Sequence, residues 1–148
     1  MFPAPFFRKI FFPRGDKPLR PSKATAASIR ILLVERENYV RISIRKLLEN
    51  SFEVVDFRSG SDAVEYIKHN TVDIAIVSDD LCENINGASL LLSLRENCKQ
   101  TFRAFALISQ LSEAQRNYLI TAGFEEIICK PVKFPEFSDL VYFRKVSF

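Results

Sequence analysis

The chain has 148 residues, with 21 Lys+Arg against 18 Asp+Glu, one His, three Cys and no Trp, for a net charge of +3. That length suits one folded domain, and 47% hydrophobic with 26% charged residues excludes collagen-like, coiled-coil and wholly disordered chains. Apolar runs reach only about five residues, far short of the roughly 18 that cross a bilayer, so no membrane span is expected.

Charge is unevenly placed. Residues 1–28 hold Arg8, Lys9, Arg14, Lys17, Arg20 and Lys23 against Asp16 alone, a local +5, together with five of the seven prolines and five of the fourteen phenylalanines. Proline lacks the N–H that helices and strand ladders use, so this stretch is predicted to be a disordered arm preceding a domain over residues 29–148. Arg8, Lys9 and Pro13 break every candidate signal-peptide core. Three cysteines without a CxxC spacing suit neither a disulfide framework nor a zinc site, and the expected compartment is cytoplasmic.

From Ser28 the apolar pattern alternates between strand and helix periods. Ile29–Val34 is predicted as a strand buried on both faces, followed by a helix capped by Asn38 and running to Asn50. A strand over Phe52–Phe57 leads to a helix over Ser61–His69. The third strand covers Asp73–Ser78, and a third helix follows Gly87. The fourth strand, Arg103–Ser109, precedes a helix opened by a Ser112–Gln115 capping box and closed by Gly123. Glu126–Cys129 is the fifth strand, and Pro135 opens the last helix. Five such alternations imply right-handed crossovers and a doubly wound, five-stranded parallel sheet, an α/β fold of (βα)5 type. Functional residues in such folds follow the strands. Here these are Glu35-Arg36-Glu37, Asp79-Asp80, Ser109 and Lys130-Pro131.

This set resembles the receiver domain of bacterial response regulators, the CheY-like family, over roughly residues 29–145. Gly87 lies eight residues after Asp79, Gly60 with Ala63 and Val64 opens the second helix in the family's manner, and Ala122-Gly123 followed by Ile127, Lys130 and Pro131 matches its A-G-x-x-x-[YF]-x-x-K-P stretch. The resemblance implies that Asp79 is the phosphoacceptor, that Glu35 and Asp79 are the candidate Mg²⁺ ligands, and that Ser109, Lys130 and Ile127 hold the switch and phosphate-binding positions. It also implies a non-enzymatic signalling module. A flavin-binding flavodoxin-like enzyme is disfavoured, because no Ser/Thr/Gly-rich phosphate loop follows the first strand.

The departures carry the functional expectation. Arg36 stands where the family has its second acidic residue, Glu83 replaces a proline, and Ile127 replaces the aromatic switch residue. Glu35 and Asp79 are balanced by Arg36 and Lys130, so the acidic pocket is neutral without a cation, and a guanidinium can form a forked pair with Asp79. The expected protein is therefore an atypical single-domain response regulator, a pseudo-receiver with weak or absent magnesium binding and no other cofactor. The alternative is a phosphorylation-competent receiver that accepts a phosphoryl group on Asp79 with Mg²⁺. Expected partners are a histidine kinase, a phosphotransfer protein or a downstream target. A homodimer through the Phe-rich tail (Phe134, Phe137, Phe143, Phe148) and contact of the arm with an anionic membrane are further expectations, whereas nucleic acid is not expected. His69 is predicted to be solvated, and Cys129 to be a small core residue.

Overall fold

The structure, a computed structural model, describes residues 28–82 and 85–142. The expected arm up to residue 27, Glu83, and the tail from Phe143 onward lie outside the described residues. The elements run β1 (Arg30–Val34), α1 (Asn38–Leu48), β2 (Glu53–Phe57), α2 (Gly60–Ile67), β3 (Ile74–Ser78), β4 (Asp80–Cys82), β5 (Ile85–Asn86), α3 (Gly87–Asn97), β6 (Arg103–Ile108), α4 (Glu113–Ala122), β7 (Glu126–Cys129) and α5 (Phe134–Tyr142). Among the described residues no helix is long and apolar enough to cross a membrane.

Strands β2-β1-β3-β6-β7 form one sheet in that order, every neighbouring pair parallel. The apolar run of β1 explains its central place. Ile31 and Leu33 pack with Ile44 and Leu48 of α1, with Phe52, and with Phe137 of α5. Leu32 and Val34 pack on the opposite face with Ala63 of α2, Leu90 of α3 and Leu119 of α4. Alternate side chains of a strand point to opposite faces, so a sheet covered on both sides needs an unbroken apolar run. β1 leads to β2 on one side and β3 lies on the other. The strand order therefore reverses beside β1, and sheets of this kind place their sites beyond the carboxyl ends of the strands at such a point, here β1 and β3.

Most helix boundaries follow their caps. Ser59 accepts from the Asp62 N–H and starts α2 one residue before the predicted Ser61. Asn86 accepts from the Ser89 N–H at the head of α3. Gly123, at φ 114°, ends α4 in the left-handed region, where a glycine carries no Cβ clash. Asn38 differs from expectation: Glu37 precedes α1 without a side-chain cap, and Asn38 Oδ1 instead accepts from Arg41 Nη2 at 2.9 Å.

A short antiparallel pair, β4 with β5, intervenes between Asp79 and α3 and was not predicted. Two of the tail phenylalanines pack into the core. Phe137 is buried edge-on against Phe52 and Phe105, at 5.7 and 5.8 Å between ring centroids, and Phe134 lies 6.4 Å from Phe52. Cys129 is exposed rather than buried, because it ends β7, an edge strand with a neighbour on one side only. His69 is solvated as expected, 3.4 Å from Glu65.

Candidate functional site

Glu35, Arg36, Asp79, Ser109 and Lys130 each follow a strand, whereas Ile127 lies within β7, and the parallel register brings the five to one end of the sheet. Val34 pairs with Val77 and Ser78 with Leu107, so Glu35 and Asp79 emerge side by side. The Asp79 N–H donates to Leu107 O at 3.2 Å, and the Lys130 N–H to Ile108 O at 2.8 Å, which places the Asp79 and Lys130 backbones on either side of β6. Lys130-Pro131 is a cis peptide.

The glycine eight residues after Asp79 has a steric cause. A Cβ on Gly87 would lie 3.0 Å from both Asp79 Cα and Ser78 O. Both are backbone atoms, and only a residue without a side chain lets the start of α3 approach the end of β3 this closely.

Glu35 is 2% exposed, a position where a lone carboxylate is costly. Its charge is matched by Lys130, whose Nζ lies 3.0 Å from Oε1. The approach falls outside hydrogen-bond angles and leaves Oε1 without an aligned donor. Oε2 accepts from the Glu37 N–H at 2.9 Å, a local turn that fixes the carboxylate inward. The backbone behind it is held by Arg41. Its Nη1 donates to Glu35 O at 3.1 Å, and its Nε pairs with Asp56 Oδ2 at 2.9 Å, while Arg45 takes the other Asp56 oxygen at 2.9 Å.

Arg36 does not form the forked pair with Asp79 that its position suggested. Its guanidinium turns outward toward Asp80, at 3.7 Å with both side chains half exposed or more. The partner of Asp79 is Gln115, whose side-chain amide donates to Oδ2. Burial pushes the Asp79 carboxyl above its ordinary range, its own backbone hydrogen bond opposes this, the neighbouring Asp80 charge adds to it, and Lys130 and Gln115 pull back. Ser109 is exposed and Ile127 half-buried, with Ile127 packed against the core on the α4 side.

Sequence reasoning missed Gln115 and Arg41. The Ser112–Gln115 pattern predicts a capping box, and half of that box forms: Ser112 Oγ accepts from the Gln115 N–H at 3.1 Å. The side chain does not close the box but leaves for Asp79. The Arg41–Asp56 pair joins α1 to β2 and has no local sequence signature.

A divalent magnesium ion, which receiver-like sites imply, requires several oxygens in near-octahedral array. Glu35 Oε2 accepts from the Glu37 N–H and Oε1 faces Lys130 Nζ at 3.0 Å, Asp79 Oδ2 accepts from Gln115, and the third position is a guanidinium, Arg36. Among the described residues no group of three or more His, Cys, Asp or Glu is arranged to hold a metal.

Residues 31–142 match the family model of the response regulator receiver domain. Among curated proteins, the chain is 25% identical over 128 residues to the autoinducer 2 sensor kinase/phosphatase LuxQ of Vibrio vulnificus, covering 84% of this chain and 15% of that protein. It is 25% identical over 108 residues to histidine kinase P4 of Formosa agariphila, covering 72% of this chain and 8% of that protein. The chain thus spans a small fraction of these relatives. Among solved structures, a CheY-like receiver domain protein from Methanospirillum hungatei superposes with a TM-score of 0.70 at 18% identity, covering 80% of this chain and 94% of that one. The receiver domain of sensor histidine kinase PA1611 from Pseudomonas aeruginosa, which holds a magnesium ion in its active site cleft, superposes with a TM-score of 0.67 at 24% identity, covering 78% and 95%.

Proposed function

The chain belongs to the response regulator receiver domain family, and from that membership we propose that it is a pseudo-receiver, acting in two-component or phosphorelay signalling through protein–protein contact with weak or no magnesium-dependent phosphorylation of Asp79. One observation carries this reading: of the oxygens a cation would need, Glu35 Oε2 is taken by the Glu37 N–H and Oε1 faces Lys130, Asp79 Oδ2 is taken by Gln115, and the remaining position is a guanidinium, Arg36. Phosphoryl transfer depends on positioning and on neutralising charge around the transferred group. Here the neutralising charges are fixed side chains, and Arg36 faces Asp80 rather than the acceptor. Partners of matching chemistry are a histidine kinase, a phosphotransfer protein or a downstream target that reads the folded surface.

Titration of the intact chain with beryllofluoride and Mg²⁺, followed by amide chemical shifts, tests the reading. Absence of saturable shifts at Asp79, Ser109 and Lys130 supports it. Saturation requiring both reagents would establish the competing reading, phosphoryl acceptance at Asp79, for which the magnesium seated in the PA1611 receiver is the precedent.

A further inference from the structure

Gln115 is the one side chain hydrogen-bonded to Asp79 among the described residues, and it comes from the first turn of α4, 36 positions along the chain. Its backbone N–H is bound to Ser112 Oγ at 3.1 Å, and the next N–H, of Arg116, is bound to Ser112 O at 2.9 Å. One residue therefore both belongs to the cap of α4 and holds the carboxylate at the end of β3. Neither Ser109 nor Ile127, the residues expected to relay a change at Asp79, shares a hydrogen bond with it; Ser109 is exposed and Ile127 packs into the core.

We infer that Gln115 is the positioning residue of this site, a tether through which the occupation of Asp79 Oδ2 sets the order of the first turn of α4. Anything that takes that oxygen, whether a ligand or a substitution, releases the Gln115 amide and leaves the α4 start held by Ser112 alone. The same helix presents Arg116, Asn117 and Tyr118 to solvent, so loosening its start alters an exposed surface available to a partner. The inference deepens the pseudo-receiver reading and rests on it only in taking Asp79 as unmodified in the resting protein.

Hydrogen exchange of the full chain in magnesium-free buffer tests it, with the wild type, Gln115→Ala, Asp79→Ala, the double variant and Asp79→Asn compared at backbone amides 113–118. A hydrogen bond of ordinary net strength is worth roughly a three- to tenfold change in protection. Gln115→Ala and Asp79→Ala are each expected to speed exchange by that factor, and the double variant by no more than either single. Asp79→Asn retains an oxygen that accepts from Gln115 and is expected to stay near the wild type, which also guards against a folding defect at this position. If Asp79→Ala leaves these amides at wild-type rates while Gln115→Ala speeds them, Gln115 merely caps its own helix and the tether is refuted; unchanged rates in both variants refute it as well. No metal or phosphate mimic enters the measurement, so its failure is distinct from failure of the pseudo-receiver reading, which the beryllofluoride titration decides.

Discussion

Replacing Lys130 by methionine removes the charge opposite Glu35 while keeping most of the side-chain volume. Glu35 is 2% exposed and Lys130 19% exposed, with 3.0 Å between Nζ and Oε1. Removing one partner of a buried pair costs about 3–5 kcal/mol, because the other charge is left uncompensated. The Glu37 N–H still serves Oε2 and Lys130 is partly wet, which brings the expected loss to about 2–3 kcal/mol. For a folded unit of this size that lowers Tm by about 8–12 °C. The chain has no Trp, so urea unfolding followed by far-UV circular dichroism is the suitable assay, with the loss appearing in the midpoint at an unchanged slope. Adding Glu35→Gln removes the stranded charge and is expected to restore about half of the loss or more, a coupling of at least roughly 1 kcal/mol. A loss under about 0.5 kcal/mol, or strictly additive effects, would refute the pairing as the reason Glu35 can be buried.

Other substitutions probe the surrounding frame. Gly87→Ala places a Cβ 3.0 Å from two backbone atoms of the Ser78-Asp79 segment and is expected to cost about 1–3 kcal/mol, with amide shifts concentrated at residues 78–80; a neutral variant would show that α3 can back away. Phe137→Ala empties the contact with Phe52 and Phe105 and is expected to cost about 3–5 kcal/mol in thermal or urea unfolding. Because the Asp79 carboxyl is raised, chiefly by burial, the folded state holds its proton more tightly than the unfolded state, and stability falls as pH rises through the folded value. Asp79→Asn is therefore expected to be more stable than the wild type at neutral pH, with the gain fading below the ordinary carboxylate range; equal midpoints at all pH values would contradict this.

The sheet was legible because its central strands are buried on both faces: Ile31–Val34 and Ile74–Val77 leave no polar position to confuse strand with helix. Gly123 and Ser112 were legible because each has one local use, a left-handed terminus and an N-cap. Local signals failed where a side chain had two candidate partners. Asn38 bonds Arg41 rather than the helix start, the Gln115 side chain bonds Asp79 rather than the Ser112 N–H, and Arg36 faces Asp80 rather than Asp79. Each choice is made by distances across the fold, which adjacency along the chain does not encode. The five positions Glu35, Arg36, Asp79, Ser109 and Lys130 were all placed at strand ends by pattern alone, while the pairing of their charges was not.

Calorimetric titration of Mg²⁺ into the wild type and the Arg36→Asp variant bears most directly on the degenerate site. The expected result is no saturable heat for the wild type at millimolar metal and a measurable site in the variant, where a third carboxylate joins Glu35 and Asp79 in place of a guanidinium. Saturable binding by the wild type that Asp79→Asn abolishes would contradict it.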